Sequence, residues 1–243
     1  MNTSKLLFLR VTAASLLLAL VAPAFAGVFS VTPVRIFMKP RDRAVAITLV
    51  NEGDTVVALQ ADINVWTQKA DGTDDLKLTE DLVLSPPIIK LAPKARQVVR
   101  LALLKPADAS RELTYRMVVR EVPEATAPRD NAMEVPIALA LSLPVFITPP
   151  VAKRDLACEV ARGDAQSVQA VCANTGSAYA QIREISLQRG GQPLGQFKGG
   201  SYVLPGARKP IALKAEGAVA AGPAQLTVVF DDFKQQVFTV TLP

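Results

Sequence analysis

The chain has no histidine among its 243 residues. That removes the commonest general base, the commonest metal ligand and any Ser-His-Asp triad. Two cysteines, Cys158 and Cys172, are fewer than the three or four soft ligands a zinc site usually takes. The residues call for no metal and no other cofactor. An acid–base site without histidine needs paired carboxylates or a lysine. Asp74-Asp75, Glu80-Asp81 and Asp231-Asp232 are adjacent pairs. Neighbours in a strand point to opposite faces, and neighbours in a turn usually face water. Gly190-Gly191 lacks the spacing and following helix of a phosphate loop. The chemistry that remains is binding. Arg35 lies in VTPVRIFM, while Arg116 and Arg120 lie in LTYRMVVREV. A guanidinium beside a cleft clamps a carboxylate through two parallel hydrogen bonds. A solvated surface arginine is the plain alternative for each.

The second binding element is Val135 to Pro150, VPIALALSLPVFITPP. Every odd position from Val135 to Ile147 is large and apolar: Val135, Ile137, Leu139, Leu141, Leu143, Val145, Ile147. A period of two makes one strand face a continuous aliphatic row. Pro136 and Pro144 share parity, so both missing N–H donors lie along one edge. Proline is tolerated on an edge and not in a fully paired strand. The spacing predicts a strand paired on one side and only partly on the other. Such an edge is an aggregation hazard unless it is covered or used to bind another chain. At least part of the row must also be ordinary core.

The elements that carry these residues read as strands, and helical periodicity is nearly absent after residue 26. Strands are expected over Val28–Met38, Ala44–Asn51, Val57–Thr67, Leu82–Leu91 (interrupted at Pro86-Pro87), Ala95–Leu104 and Leu113–Val122. Ala70 to Asp75 reads as a polar turn. With the apolar strand, these make one immunoglobulin-sized sandwich. Thr148-Pro149-Pro150 is a stiff connection suited to a domain boundary. Beyond it, strands are expected over Asp155–Val160, Val168–Asn174, Tyr179–Arg189, Pro193–Phe197, Lys209–Lys214, Ala224–Phe230 and Gln235–Leu242. Gly190-Gly191 and Gly199-Gly200 read as turns. The fold class is all-β, with two sandwiches over 27–148 and 149–243.

Residues 1–26 form a secretory leader: Lys5 and Arg10, the apolar run Val11–Val21, and Ala24-Phe25-Ala26 before Gly27. The run is about half the ~20 residues of a membrane span, and no later segment is long and apolar enough, so no stable membrane insertion is expected. Removing Lys5 and Arg10 leaves 25 basic against 22 acidic residues. That excess of three, without a basic run interleaved with aromatics, does not suit nucleic acid. In an exported protein, Cys158 and Cys172 read as one disulfide.

The run REVPEATAPRDNAMEVPIALALSLPVF, Arg120 to Phe146, resembles the late strands of periplasmic pilus chaperones of the chaperone–usher pathway. GVFSVTPVRIFM at the mature start, LAPKARQVVRL (Leu91–Leu101) and VCANTGSAYAQI (Val171–Ile182) also resemble family motifs. The likeness covers nearly the whole mature chain and is stronger in the first half. It implies two immunoglobulin-like sandwiches in an L shape with a cleft between them. It implies a periplasmic protein that binds pilus subunits by lending them its apolar edge strand, then delivers them to an outer-membrane usher. Carried over by position, Val135, Ile137 and Leu139 are donor residues, and Leu141 extends the row. Arg35 matches the arginine that anchors the subunit's terminal carboxylate. The family's partner lysine falls at Pro144, and Arg116 is our candidate substitute. The arginine of the interdomain bridge falls at Thr148, which leaves Glu112 and Asp231 or Asp232 without their usual partner. SLPVF and Tyr115-Arg116 resemble the archaic or spore-coat-like branches. Self-association through the edge strand is a further expectation.

Two other classes compete. A structural surface protein, such as a pilus subunit or adhesin, should carry an N-terminal donor extension and lack its own last strand. Here Gly27–Met38 runs straight into a sandwich and Val237–Leu242 supplies a final strand. A secreted enzyme needs a reactive constellation that these residues do not form.

Overall fold

The computed structural model describes residues 29–123, 138–163, 167–215, 217 and 219–243. The leader 1–26 and the donor positions Val135 and Ile137 lie outside the described residues. The described residues form strands and no helix.

In the first sandwich, one sheet runs in the order β1 (Phe29–Thr32), β3 (Ala44–Asn51), β8 (Arg96–Leu103), β6 (Leu82–Ser85). The facing sheet runs β2 (Ile36–Met38), β10 (Ala140–Ile147), β9 (Leu113–Glu121), β4 (Val57–Gln68), β5 (Asp74–Leu78), with β7 (Ile88–Leu91) also on β4. Prolines decide where the chain changes sheets. Pro33 divides the expected first strand, sending β1 to one sheet and β2 to the other. Pro86-Pro87 does the same between β6 and β7. Each proline removes a ladder donor, so the strand cannot continue unbroken past it. One expectation was short: the polar turn ends early, and Asp74–Leu78 is a strand. Its sequence DDLKL is an outer strand with little buried surface, so no apolar alternation marks it.

The second sandwich is built from β11 (Leu156–Arg162), β12 (Val168–Asn174), β15 (Arg208–Ala215), β14 (Gln192–Val203), β13 (Ala180–Arg189), β16 (Gly222–Phe230) and β17 (Gln235–Leu242), hydrogen-bonded in that order. Gly199-Gly200 is not a turn; it lies inside β14. The β13–β14 register slips there, with Ile182 opposite Ser201 but Glu184 opposite Lys198. Two glycines accommodate that bulge because they bring no side chain to the irregular backbone. Cys158 and Cys172 face each other across β11 and β12 and form a disulfide.

Each sandwich has its own core. The first gathers Ile36, Ile47, Leu49, Leu59, Val99, Leu101, Met117 and Val145; the second gathers Ala170, Ile182, Ile185, Leu187, Leu226 and Val228. A third, smaller cluster joins Trp66 and Phe146 of the first sandwich to Leu204, Tyr179 and Tyr202 of the second.

Candidate functional site

β10 pairs antiparallel with β9 along its whole length, Ala140 opposite Arg120 through Ile147 opposite Leu113. On its other side β2 pairs only with Val145 to Ile147. Among the described residues, the strand is thus paired on one side and without a strand partner on the other from Ala140 to Pro144, as the proline parity predicts. Pro144 is the last residue before β2 takes over. The aliphatic row divides along its length. Leu143, Val145 and Ile147 are buried in the core, whereas Leu141 and Leu139 are half-buried against its margin. Among the described residues of the row, Leu139 and Leu141 are the ones left with apolar surface to offer another chain.

The opposite face of the same sheet builds a second feature. In β4, β9 and β10 the even-numbered positions, and in β2 Phe37, point away from the first core. In β4 the alternation Val57, Leu59, Ala61, Ile63 points inward, and Trp66 falls on the outer face, yet it is 0% exposed. The second sandwich covers it. Thr114 of β9 donates its hydroxyl to the Trp66 carbonyl (2.6 Å) and sits opposite Phe146, which sits opposite Phe37. A row that carries three aromatic rings therefore crosses four strands. Tyr179 stacks on Phe146 at 4.1 Å between centroids, and Tyr202 meets Trp66 edge-on at 5.2 Å. This interface was missed at the level of sequence. The parity of Trp66, Phe146 and Phe37 carried the signal, but only sheet order shows that they are adjacent.

Arg116 lies in the neighbouring row, between Asn64 and Pro144. Its guanidinium sits 3.8 Å from the Trp66 ring centroid and 5.6 Å from that of Tyr202. It donates to the Ser142 carbonyl at 3.3 Å, and Asp74 lies 4.0 Å away. Burial lowers its pKa from the usual arginine value. The structure thus brings Arg116 beside Pro144, the position of the family's lysine. Arg120 is engaged elsewhere, with Asp62 at 2.8 Å.

Arg35 sits where the chain crosses between β1 and β2. It is not a free cation. Its Nη1 donates to Gln181 Oε1 at 2.7 Å and to Asp231 Oδ2 at 2.9 Å, both in the second sandwich. The Tyr202 phenol lies beside the guanidiniums of both Arg35 and Arg116: burial pushes its pKa up, and the two arginines pull it back. The interdomain acids also find partners without the family's arginine. Glu112 accepts from the Thr148 hydroxyl (2.6 Å) and the Tyr179 amide (2.9 Å). Asp232 pairs with Arg154 at 3.0 Å. Burial raises the Glu112 pKa, opposed by these two bonds.

A cleft of about 490 Å³ is lined by Trp66, Arg111, Glu112 and Leu204 among others, but by neither Arg35 nor β10. Its size does not mark the strand edge. Among the described residues, no group of His, Cys, Asp or Glu is arranged to hold a metal ion. No helix of the described residues is long and apolar enough to cross a membrane.

Two immunoglobulin-like sandwiches and an apolar strand open along one edge define a class of strand-lending binding proteins. Residues 28–153 match the family of pili and flagellar-assembly chaperones through its PapD N-terminal domain, and the chain belongs to that family. No curated protein sequence matches it. Among solved structures it is similar to a chain of the CsuC–CsuE chaperone–tip adhesion subunit pre-assembly complex from archaic chaperone-usher Csu pili of Acinetobacter baumannii. That match has 20% identity and a TM-score of 0.67, over 89% of this chain and 100% of that one. It is also similar to the CupB2 chaperone of Pseudomonas aeruginosa, at 20% identity and TM-score 0.55, over 88% and 100%. A chain from the complex of SafA pilin with the SafB chaperone of Salmonella enterica gives 15% identity and TM-score 0.58, over 91% and 99%.

Proposed function

We propose that this pilus-assembly chaperone works in the periplasm, after removal of residues 1–26, and binds pilus subunits by lending them the strand that contains Val135, Ile137, Leu139 and Leu141. It then hands them to an outer-membrane usher. Residues 27–148 form the chaperone domain and 149–243 the second domain. It binds without catalysing a reaction. The observation that carries this reading is the open edge of β10, where the aliphatic row leaves the core between Leu143 and Leu141. A subunit lacking a strand would cover that edge and bury the row, at roughly 1.5–3 kcal/mol for each large side chain removed from water. In the free chaperone, a second copy covering the same edge would give self-association.

Register needs a separate device, because a strand can slide by two residues and still bury the same face. Arg35 and Arg116 anchor the subunit's terminal carboxylate and set that register. Arg116 lies 5.6 Å from the Tyr202 ring, and Arg35 shares Asp231 with Tyr179, whose ring is 5.7 Å from that of Tyr202, which supports their convergence.

Co-expression with a pilus subunit that the wild-type chain keeps soluble tests this. Ile137→Asp should abolish recovery of the complex while the chaperone stays folded. Arg35→Ala and Arg116→Ala should each reduce recovery, and the double variant should cost less than their sum, since both hold one carboxylate. Wild-type recovery from a folded Ile137→Asp protein would overturn the donor-strand reading.

A further inference from the structure

We infer that Tyr202 of the second sandwich is the third member of the carboxylate anchor: its phenol O–H, set beside Arg35 and Arg116, donates to the subunit's terminal carboxylate where the family's lysine is replaced by Pro144. The inference deepens the anchor proposed above and rests on it.

Three observations carry it. First, Tyr202 reaches across the domain interface. Its ring packs edge-on against Trp66 (5.2 Å) and lies 5.6 Å from the Arg116 guanidinium. Trp66 and Arg116 belong to the sheet that holds β10. Second, Tyr202 is tied to the Arg35 side of the interface through Tyr179: the two tyrosine rings lie 5.7 Å apart, and Tyr179 and Arg35 both donate to Asp231 Oδ2. A guanidinium donates and never accepts. A phenol oxygen can accept from such neighbours, and its proton then needs an acceptor that neither arginine can supply. A carboxylate entering between the arginines is that acceptor. Third, Arg35 is held from behind. Its hydrogen bonds to Gln181 and Asp231 both leave from Nη1. These bonds engage Nη1, whereas a carboxylate is gripped side-on through the Nε–Nη2 edge.

The charges around the site explain why a neutral donor has work to do there. Arg35 faces Asp231, and Arg116 has Asp74 at 4.0 Å. Tyr179 also reaches Asp231, at 3.4 Å. Each arginine is thus partly neutralised, and an incoming carboxylate meets two others nearby. A phenol adds a hydrogen bond without adding charge. Tyr202 is half-buried, so the bond would form partly shielded from water.

The test uses the full mature protein and two probes, the acetylated dipeptide Ac-Ala-Ala with a free carboxylate and its C-terminal amide, titrated by NMR. Wild type should bind the acid at least about tenfold more tightly than the amide. Tyr202→Phe keeps the ring against Trp66 and loses only the hydroxyl. It should weaken the acid about fivefold to tenfold and leave both the amide affinity and Tm unchanged. Wild-type acid affinity in Tyr202→Phe, with weakened binding in Arg35→Ala, would overturn the role of Tyr202 and leave the arginine anchor standing. Failure to discriminate acid from amide in the wild type would overturn the anchor itself, and the inference with it.

Discussion

The two sandwiches treat their sheet edges differently. In the second, the terminal strands β11 and β17 come together, and the Gln236 amide donates to the Leu156 carbonyl at 3.1 Å. In the first, β10 has β2 beside it for only three residues and is open from Ala140 to Pro144. The second sandwich bridges its two end strands with a side chain, without a backbone ladder between them, while among the described residues the first leaves β10 unpaired on one side from Ala140 to Pro144. An open apolar edge invites aggregation, so a chain that keeps one has a use for it. Here the open edge is also the strand whose Phe146 joins the two sandwiches. On the proposed reading, one half of the strand is lent and the other holds the domains together.

The sharpest way to break that division is to charge each half in turn. Val145→Asp puts an unpaired charge at a core position that is 0% exposed, at a cost of several kcal/mol. It should abolish soluble, folded protein, as judged by circular dichroism. Leu141→Asp, at the half-buried margin, should shift Tm by less than about 4 °C and abolish capture of a subunit. Unfolding by both variants would show that the row is core throughout.

Phe146→Ala addresses the joint between the sandwiches. Phe146 is fully buried and stacked on Tyr179, so truncation should cost about 3–5 kcal/mol in chemical denaturation. A loss below about 1 kcal/mol would mean the aromatic row fills space without stabilising the interface.

Replacing both cysteines by serine should affect the second sandwich only. Cys158 and Cys172 are 14 residues apart, and a loop of that size contributes about 3 kcal/mol on the chain-entropy account. The double variant should melt lower and, where it is still folded, capture subunits as wild type does. Lost capture in the folded variant would show that the second sandwich takes part in lending the strand.

The smallest effect is a pH dependence at the domain junction. Burial holds the Glu112 pKa above its usual value. An acid whose pKa is raised on folding stabilises the fold below its unfolded pKa, and that contribution is lost as pH rises through the folded value. Tm should therefore rise slightly as pH falls from 7 toward the ordinary glutamate range, and Glu112→Gln should remove that component. An unchanged pH profile in Glu112→Gln would place the effect on other groups.

Much of this molecule was legible in its residues. The period-two row and the shared parity of Pro136 and Pro144 were enough to expect an edge strand paired mainly on one side. The same row could not say where core ends, because Leu143 and Leu141 are the same residue type one strand step apart. The difference between them comes from the neighbouring strand and the depth of the sandwich. Asp74–Leu78 escaped notice because a polar outer strand buries too little to leave a pattern.

By itself, the sequence determined the all-β class, the cysteine pair, the lack of histidine chemistry and the aliphatic row. These follow from composition and from a period that every strand shares. Only the tertiary structure decided that Arg35 is held by Gln181 and Asp231, that Arg116 lies on Trp66, and that Tyr202 stands beside both arginines. Those contacts join residues 50 to 196 positions apart in a chain with no repeating spacing between them. Sheet order and the docking of one sandwich on the other bring them together, and neither is written in local periodicity.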